Sequence, residues 1–181
     1  MLQRVENLRE LEAQELLGRE PFDAVHSRFG LMFFPQPKPA FANIFRALRP
    51  GGRLAAQVWG HLTDNPWMEL TTATATQVLG MDRAPLPEPG RPGPFSLADP
   101  QATAELFAGA GFDHVVIEPV NAPFLFPGDG SDAAARVLSA GPLGAAFLSA
   151  TDGQRADVIE AIVTALEKHR GAGGIAVPAA S

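Results

Sequence analysis

The chain has 181 residues, 46% hydrophobic and 19% charged, which excludes a disordered segment or a coiled coil and suits one domain burying about two-thirds of its unfolded surface. Acids outnumber bases 20 to 14 for a net charge of -6, which argues against a nucleic-acid partner, because phosphate backbones select basic faces. Zero cysteines exclude disulfides, thiolate metal ligands and a cysteine nucleophile. No apolar run nears the roughly 20 residues of a membrane helix, and charge follows Met1 too closely for a secretory h-region. The expectation is a cytoplasmic protein with no membrane span, and 18 glycines with 17 prolines give loops a large share.

Val5 to Leu17 carries Leu8, Leu11, Leu16 and Leu17 among strong helix formers, with Gly18 at the stop position, and predicts an amphipathic helix. Phe22 to Ser27 alternates like a strand, and the prolines at 35, 37 and 39 confine Leu31 to Phe34 to a buried loop or single turn. Pro39 opens a helix with Phe41, Ile44, Phe45 and Leu48 on one face, which must stop at Arg49 because the pre-proline residue resists the α region. Pro50-Gly51-Gly52 turns into a second strand, Arg53 to Trp59, completing a parallel βαβ unit of right-handed sense. Pro66 to Gly80 predicts the next helix, and five prolines between Pro85 and Pro94 a lid or linker over residues 84–98. Asp99-Pro100 caps a helix that buries Leu106 and Phe107, followed by a third strand at Val115-Val116-Ile117. Short helices follow at Ser131 to Leu138 and Leu143 to Leu148, and Thr151 with Gln154 forms a capping box for a helix carrying Ile159, Ile162, Val163 and Leu166. Residues 171–181 read as a flexible Gly/Ala tail, and the whole as a single domain, 1–181.

No metal-ligand spacing links His26, His61, His114 and His169, and no metal site is expected. His26 and Ser27 lie at the carboxyl end of a strand, where ligands of open α/β sheets collect, but no Gly-x-Ser-x-Gly elbow surrounds Ser27. Gly51-Gly52 joins helix to strand, the wrong order for a phosphate cradle. Gly128-x-Gly130-x-x-Ala133 spells a dinucleotide fingerprint before a helix, but the Pro123 to Pro127 stretch ahead of it is poor as a central strand. Asp129, Gly130 and Asp132 lack the terminal glutamate of a calcium loop.

Phe22-Asp23-Ala24-Val25-His26-Ser27-Arg28-Phe29-Gly30-Leu31-Met32-Phe33-Phe34, Ala40-Phe41 to Ile44 and Arg46-Ala47-Leu48-Arg49-Pro50-Gly51-Gly52-Arg53-Leu54 together resemble class I S-adenosyl-L-methionine-dependent methyltransferases, in the branch related to ubiquinone and menaquinone C-methylating enzymes. Asn65-Pro66-Trp67-Met68, Pro92-Gly93-Pro94-Phe95-Ser96-Leu97-Ala98-Asp99-Pro100 and Ala108-Gly109-Ala110-Gly111-Phe112 extend the resemblance over most of the chain. It implies that Phe22 to Ser27 is the fourth strand of a seven-stranded sheet, that the Arg-Pro-Gly-Gly turn leads into the fifth, and that Val115 to Val120 is the sixth. Ser27 and Arg28 would then line the methionine end of the cofactor, and Glu12 with Ala13 would meet the adenine, although Glu12 reads equally as a solvated helical glutamate. Phe29, Met32, Trp67 and the proline-rich lid would contact a small-molecule methyl acceptor, or else belong to ordinary core. The transfer is an in-line displacement at sulfur that needs alignment more than an acid or base, so no catalytic residue is assigned.

The resemblance starts near the family's third strand. The expected fold class is therefore α/β, an incomplete Rossmann-like methyltransferase fold: a short parallel sheet flanked by helices, lacking the N-terminal strands and the last strand. The Gly-rich loop of the family's first strand is not among these residues, so the chain is expected to hold only part of the cofactor site and to be inactive alone. The competing expectation is a non-enzymatic partner protein or pseudo-methyltransferase. Phe22 to Ser27 would be an exposed edge, to be covered by a homodimer or a partner chain.

Overall fold

The computed structural model describes residues 20–82, 91–141 and 143–181. In chain order these form β1 (Phe22–Arg28), a 3-10 turn (Leu31–Phe33), α1 (Pro37–Ala47), β2 (Leu48–Gln57), α2 (Pro66–Val78), α3 (Pro100–Gly109), β3 (Phe124–Pro127), α4 (Ser131–Ala140), α5 (Gly144–Ser149), α6 (Asp152–Leu166), β4 (Arg170–Gly171) and β5 (Gly174–Val177). They fall into two compact units, residues 1–58 with 88–118 and residues 59–87 with 119–181. The helix expected at Val5 to Leu17 and most of the proline-rich stretch lie outside the described residues.

The first unit is mixed α/β, a short parallel sheet flanked by helices, consistent with a partial Rossmann-like methyltransferase fold. β1 and β2 pair in parallel, with Ala24 opposite Arg53 and Arg28 opposite Gln57, as the helix–turn–strand pattern predicts. The turn residues join β2 itself, because Phe22 pairs with Leu48 while Ala24 already pairs with Arg53, so a bulge takes up residues 49–52. Gly51 is left-handed there (φ 76°), and a side chain on Gly52 would lie 2.9 Å from the Arg49 carbonyl, which explains the paired glycines. Helix α1 ends at Ala47, before the proline restriction applies, because Leu48 is already extended and paired. Leu31, Met32, Phe41, Ile44 and Ala47 are buried, and Phe41 meets Phe107 of α3 at 4.6 Å between ring centroids. Asp99 caps α3 by accepting the Ala102 N–H at 2.9 Å. Thr103 is the buried residue of that helix, while Leu106 and Phe107 are only half-buried.

The third strand expected at Val115 to Ile117 does not form. Val116 is 74% exposed and no β-ladder includes the segment; after the left-handed turn at His114 (φ 52°) it meets no strand among the described residues that could take its hydrogen bonds.

The second unit sets α2, α4, α5 and α6 with an antiparallel sheet of order β3-β5-β4. Its core joins Trp67, Phe126, Leu138, Phe147, Val158, Ile162, Leu166, Ile175 and Val177. Phe124 to Pro127 is a strand, but an edge one, in keeping with the expectation that its prolines make it poor as a central strand. The flexible tail expected at the C-terminus does not hold, because of pairing that no local pattern reveals. Residues 171–181 supply the central strand β5, with Ile175 and Val177 fully buried, and Ser181 exchanges backbone hydrogen bonds with Val120 at 2.9 and 3.0 Å.

Candidate functional site

Parallel pairing puts the carboxyl ends of β1 and β2 on one side of the first unit. Ser27 stands opposite Ala56, half-buried, and Arg28 opposite Gln57 is exposed, its guanidinium 5.7 Å from the centroid of the Phe29 ring. Phe29 itself is left-handed at φ 54°, a conformation that a bulky residue adopts only under constraint. The constraint is visible: its N–H donates to the Gln57 carbonyl at 2.8 Å, holding the chain against the end of β2 as it leaves the sheet.

Met32, three residues on, is buried, and its carbonyl accepts from the Gly93 N–H at 2.9 Å and the Ser96 hydroxyl at 2.7 Å. The described part of the proline-rich stretch, residues 91–98, is thereby hydrogen-bonded to the loop that follows β1. Gly93 and Ser96 were legible only as loop residues, since a carbonyl acceptor has no sequence signature.

Ser27, Arg28, Phe29 and Met32 thus share one strand end and its loop. Trp67 belongs to the second unit, where it is buried, stacks on Phe124 at 4.2 Å and 10°, and donates from Nε1 to Asn65 Oδ1 at 3.2 Å. That environment is the core alternative foreseen for it. Glu12 and Ala13 lie outside the described residues. His26 is exposed, and no group of three or more His, Cys, Asp or Glu poised for a metal occurs among the described residues. No described helix is long and apolar enough to cross a membrane.

The Gly128 to Ala133 loop does join a strand to a helix, so its order fits a cradle, but its electrostatics do not. Asp129 accepts the Ser131 N–H at 2.9 Å, the donor an anion would need, and this bond, with the Ser131 hydroxyl and Arg170 nearby, holds its carboxyl below the usual range. The glycines answer to shape instead: Gly128 (φ 66°) and Gly130 (φ 90°) are left-handed, and a side chain on Gly130 would meet Ile175 at 3.2 Å.

With this geometry in view, the family comparison decides between the units. Residues 2–56 match the family model of a methyltransferase domain. The match covers just under a third of the chain, takes in β1 and α1, and stops one residue before β2 ends. It supports a class I S-adenosylmethionine-dependent methyltransferase domain, and it places the methyltransferase-like stretch in the first unit. No curated protein matches the chain significantly.

Part of this stretch suits the cofactor of that family. The Ser27 hydroxyl and the Arg28 guanidinium are both donors at this strand end, but as neighbours along β1 they lie on opposite faces of the sheet, and the Phe29 N–H is committed to Gln57.

Proposed function

We propose that this chain serves S-adenosylmethionine-dependent methyl transfer to a small organic acceptor, with the strand end at Ser27 and Arg28 lining the methionine portion of the cofactor. The observation that carries the reading is the parallel β1–β2 pair inside the matched residues, whose carboxyl ends point the same way. Bound cofactor supplies the activated methyl. Arg28 contributes charge, Ser27 a hydrogen bond, and the constrained Phe29 a wall for the acceptor, with Met32 buried in the same loop. The resemblance to the ubiquinone and menaquinone branch favours an acceptor of that aromatic or quinone kind, which a phenyl wall suits.

Isothermal titration with S-adenosylmethionine tests this. Binding is expected that S-adenosylhomocysteine displaces and that Arg28→Ala weakens about tenfold, roughly 1.4 kcal/mol. Absence of heat at millimolar cofactor would overturn the cofactor role and leave the non-enzymatic interaction module in its place.

A further inference from the structure

The parallel sheet of the first unit has two unlike faces. Side chains alternate along a strand, so Val25 with Leu54 and Ser27 with Ala56 share one face, while Ala24 with Arg53, His26 with Ala55 and Arg28 with Gln57 share the other. A right-handed crossover lays its helix on a single face, and the burial of Val25 marks the first as the covered one. On the second face Ala24, His26, Arg28, Arg53 and Ala55 are exposed and Gln57 is half-buried, whereas of the four residues on the first only Ala56 is exposed. Parallel sheets are as a rule covered on both sides.

The open face is also unusual in charge. It bears two arginines and a histidine and no acid, in a chain of net charge -6. Among the described residues neither Arg53 nor His26 has a hydrogen-bond or ion-pair partner, and the Arg28 guanidinium meets the ring of its neighbour Phe29. The Arg49–Asp23 pair, 2.6 Å long, lies at the other end of β1.

We propose that this face docks an acidic amphipathic helix of a partner protein. Arg53 stands opposite Ala24 and Arg28 lies four residues further along β1, so the two backbone positions are about 13 Å apart along the strand. Two helical turns span about 11 Å, so carboxylates seven residues apart on a helix laid along the strands reach both. Ala24 beside Arg53 and Ala55 beside His26 keep part of this face low, so that a small-residue helix face can pack against it. A second copy applied face to face would set each arginine against its like under two-fold symmetry, which leaves a different, acidic chain as the occupant. The inference does not require the methyl-transfer reading, but both draw on Arg28, so its test is placed on Arg53 and Ala55, which the cofactor reading does not use.

The probe is a fluorescent synthetic helix with alanines on one face and glutamates at seven-residue spacing, followed by anisotropy with the full chain. Its charge-swapped lysine analogue and a single-stranded oligonucleotide serve as comparators. The acidic helix should bind, lose affinity as salt is raised, and bind about tenfold more weakly to Arg53→Glu, which reverses charge, and to Ala55→Trp, which raises the floor and leaves charge alone. Circular dichroism establishes that both exposed substitutions keep the fold. Failure of the acidic helix to bind at about millimolar concentration, binding indifferent to both substitutions, or equal binding of either comparator overturns the proposal. Arg53→Glu should titrate S-adenosylmethionine as the parent does, so the docking and cofactor readings fail separately.

Discussion

Among the described residues, the first unit rests on a two-stranded parallel sheet with one face exposed, whereas the second combines four helices and a three-stranded antiparallel sheet around a continuous core. Both contain fully buried aromatics, Phe41 in one and Phe126 in the other, so the contrast is not one of composition. It lies in how much of each sheet is used for burial. Two strands alone are marginal in water, and the first unit leaves Ala24, Ala55 and two arginines in solvent. The second buries the alternate residues Ile175 and Val177 of its central strand completely. Stability is therefore concentrated in the second unit, and exposed, constrained chemistry at the β1 end of the first.

The most severe way to test that contrast is to empty each core. Phe126→Ala should cost about 3–5 kcal/mol by loss of burial and the cavity left behind, read as a lowered urea midpoint. Val25→Ala removes less volume from a site closed on one side only, and should cost roughly half as much or less. Equal losses would break the comparison.

A second cut is smaller and polar. Asn65, fully buried, donates to the His61 carbonyl at 2.9 Å and the Ala180 carbonyl at 3.0 Å, and accepts from the Ala180 N–H and Trp67 Nε1 at 3.2 Å each. Asn65→Ala leaves these partners without a bond and should cost about 2–3 kcal/mol. Asn65→Asp keeps the acceptor and removes the donors, so it should be no milder. A loss within experimental error in the same urea series would show that residues 178–181 are held by backbone pairing alone.

How much of this was legible follows the same division. The βαβ unit was readable because its signals are local: alternation in Phe22 to Ser27, the helical spacing of Phe41, Ile44 and Phe45, and the glycines at 51 and 52 each act within a few residues. Asp99 and Thr151 were readable as caps for the same reason, and Thr151 does share a capping box with Gln154. The second sheet was not. Pairing of Phe126 with Ile175 joins residues about fifty apart, and neither a proline-bracketed quartet nor a Gly/Ala-rich end declares a partner at that distance. Val115 to Ile117 shows the converse, since β-branched residues favour a strand only where a neighbouring strand exists to pair with them. At the candidate site, residue types at a strand end were legible, but the left-handed Phe29 was not, because the Gln57 carbonyl that holds it is contributed by the adjacent strand.

The smallest expected effect sharpens the contrast through pH. In the second unit Glu167 is held below the usual carboxylate range mainly by a hydrogen bond from Arg170, as Asp129 is by Ser131. A carboxyl whose folded pKa is depressed contributes stability above its unfolded value and loses it as pH falls through the folded one. The ordinary values are 3.8 for Asp129 and 4.5 for Glu167, so the loss should set in below about pH 5 and grow toward pH 3. Both groups are exposed to solvent and screened, so the slope should be shallow and should flatten further in added salt. Urea midpoints at pH 7 and pH 3 should therefore converge in the Asp129→Asn, Glu167→Gln double variant relative to the parent. If the double variant loses as much as the parent on acidification, the acid sensitivity arises from other carboxylates. The Arg170 contacts to Glu167 and to the Gly128 and Asp129 carbonyls would then fix the β3–α4 turn by geometry rather than by charge.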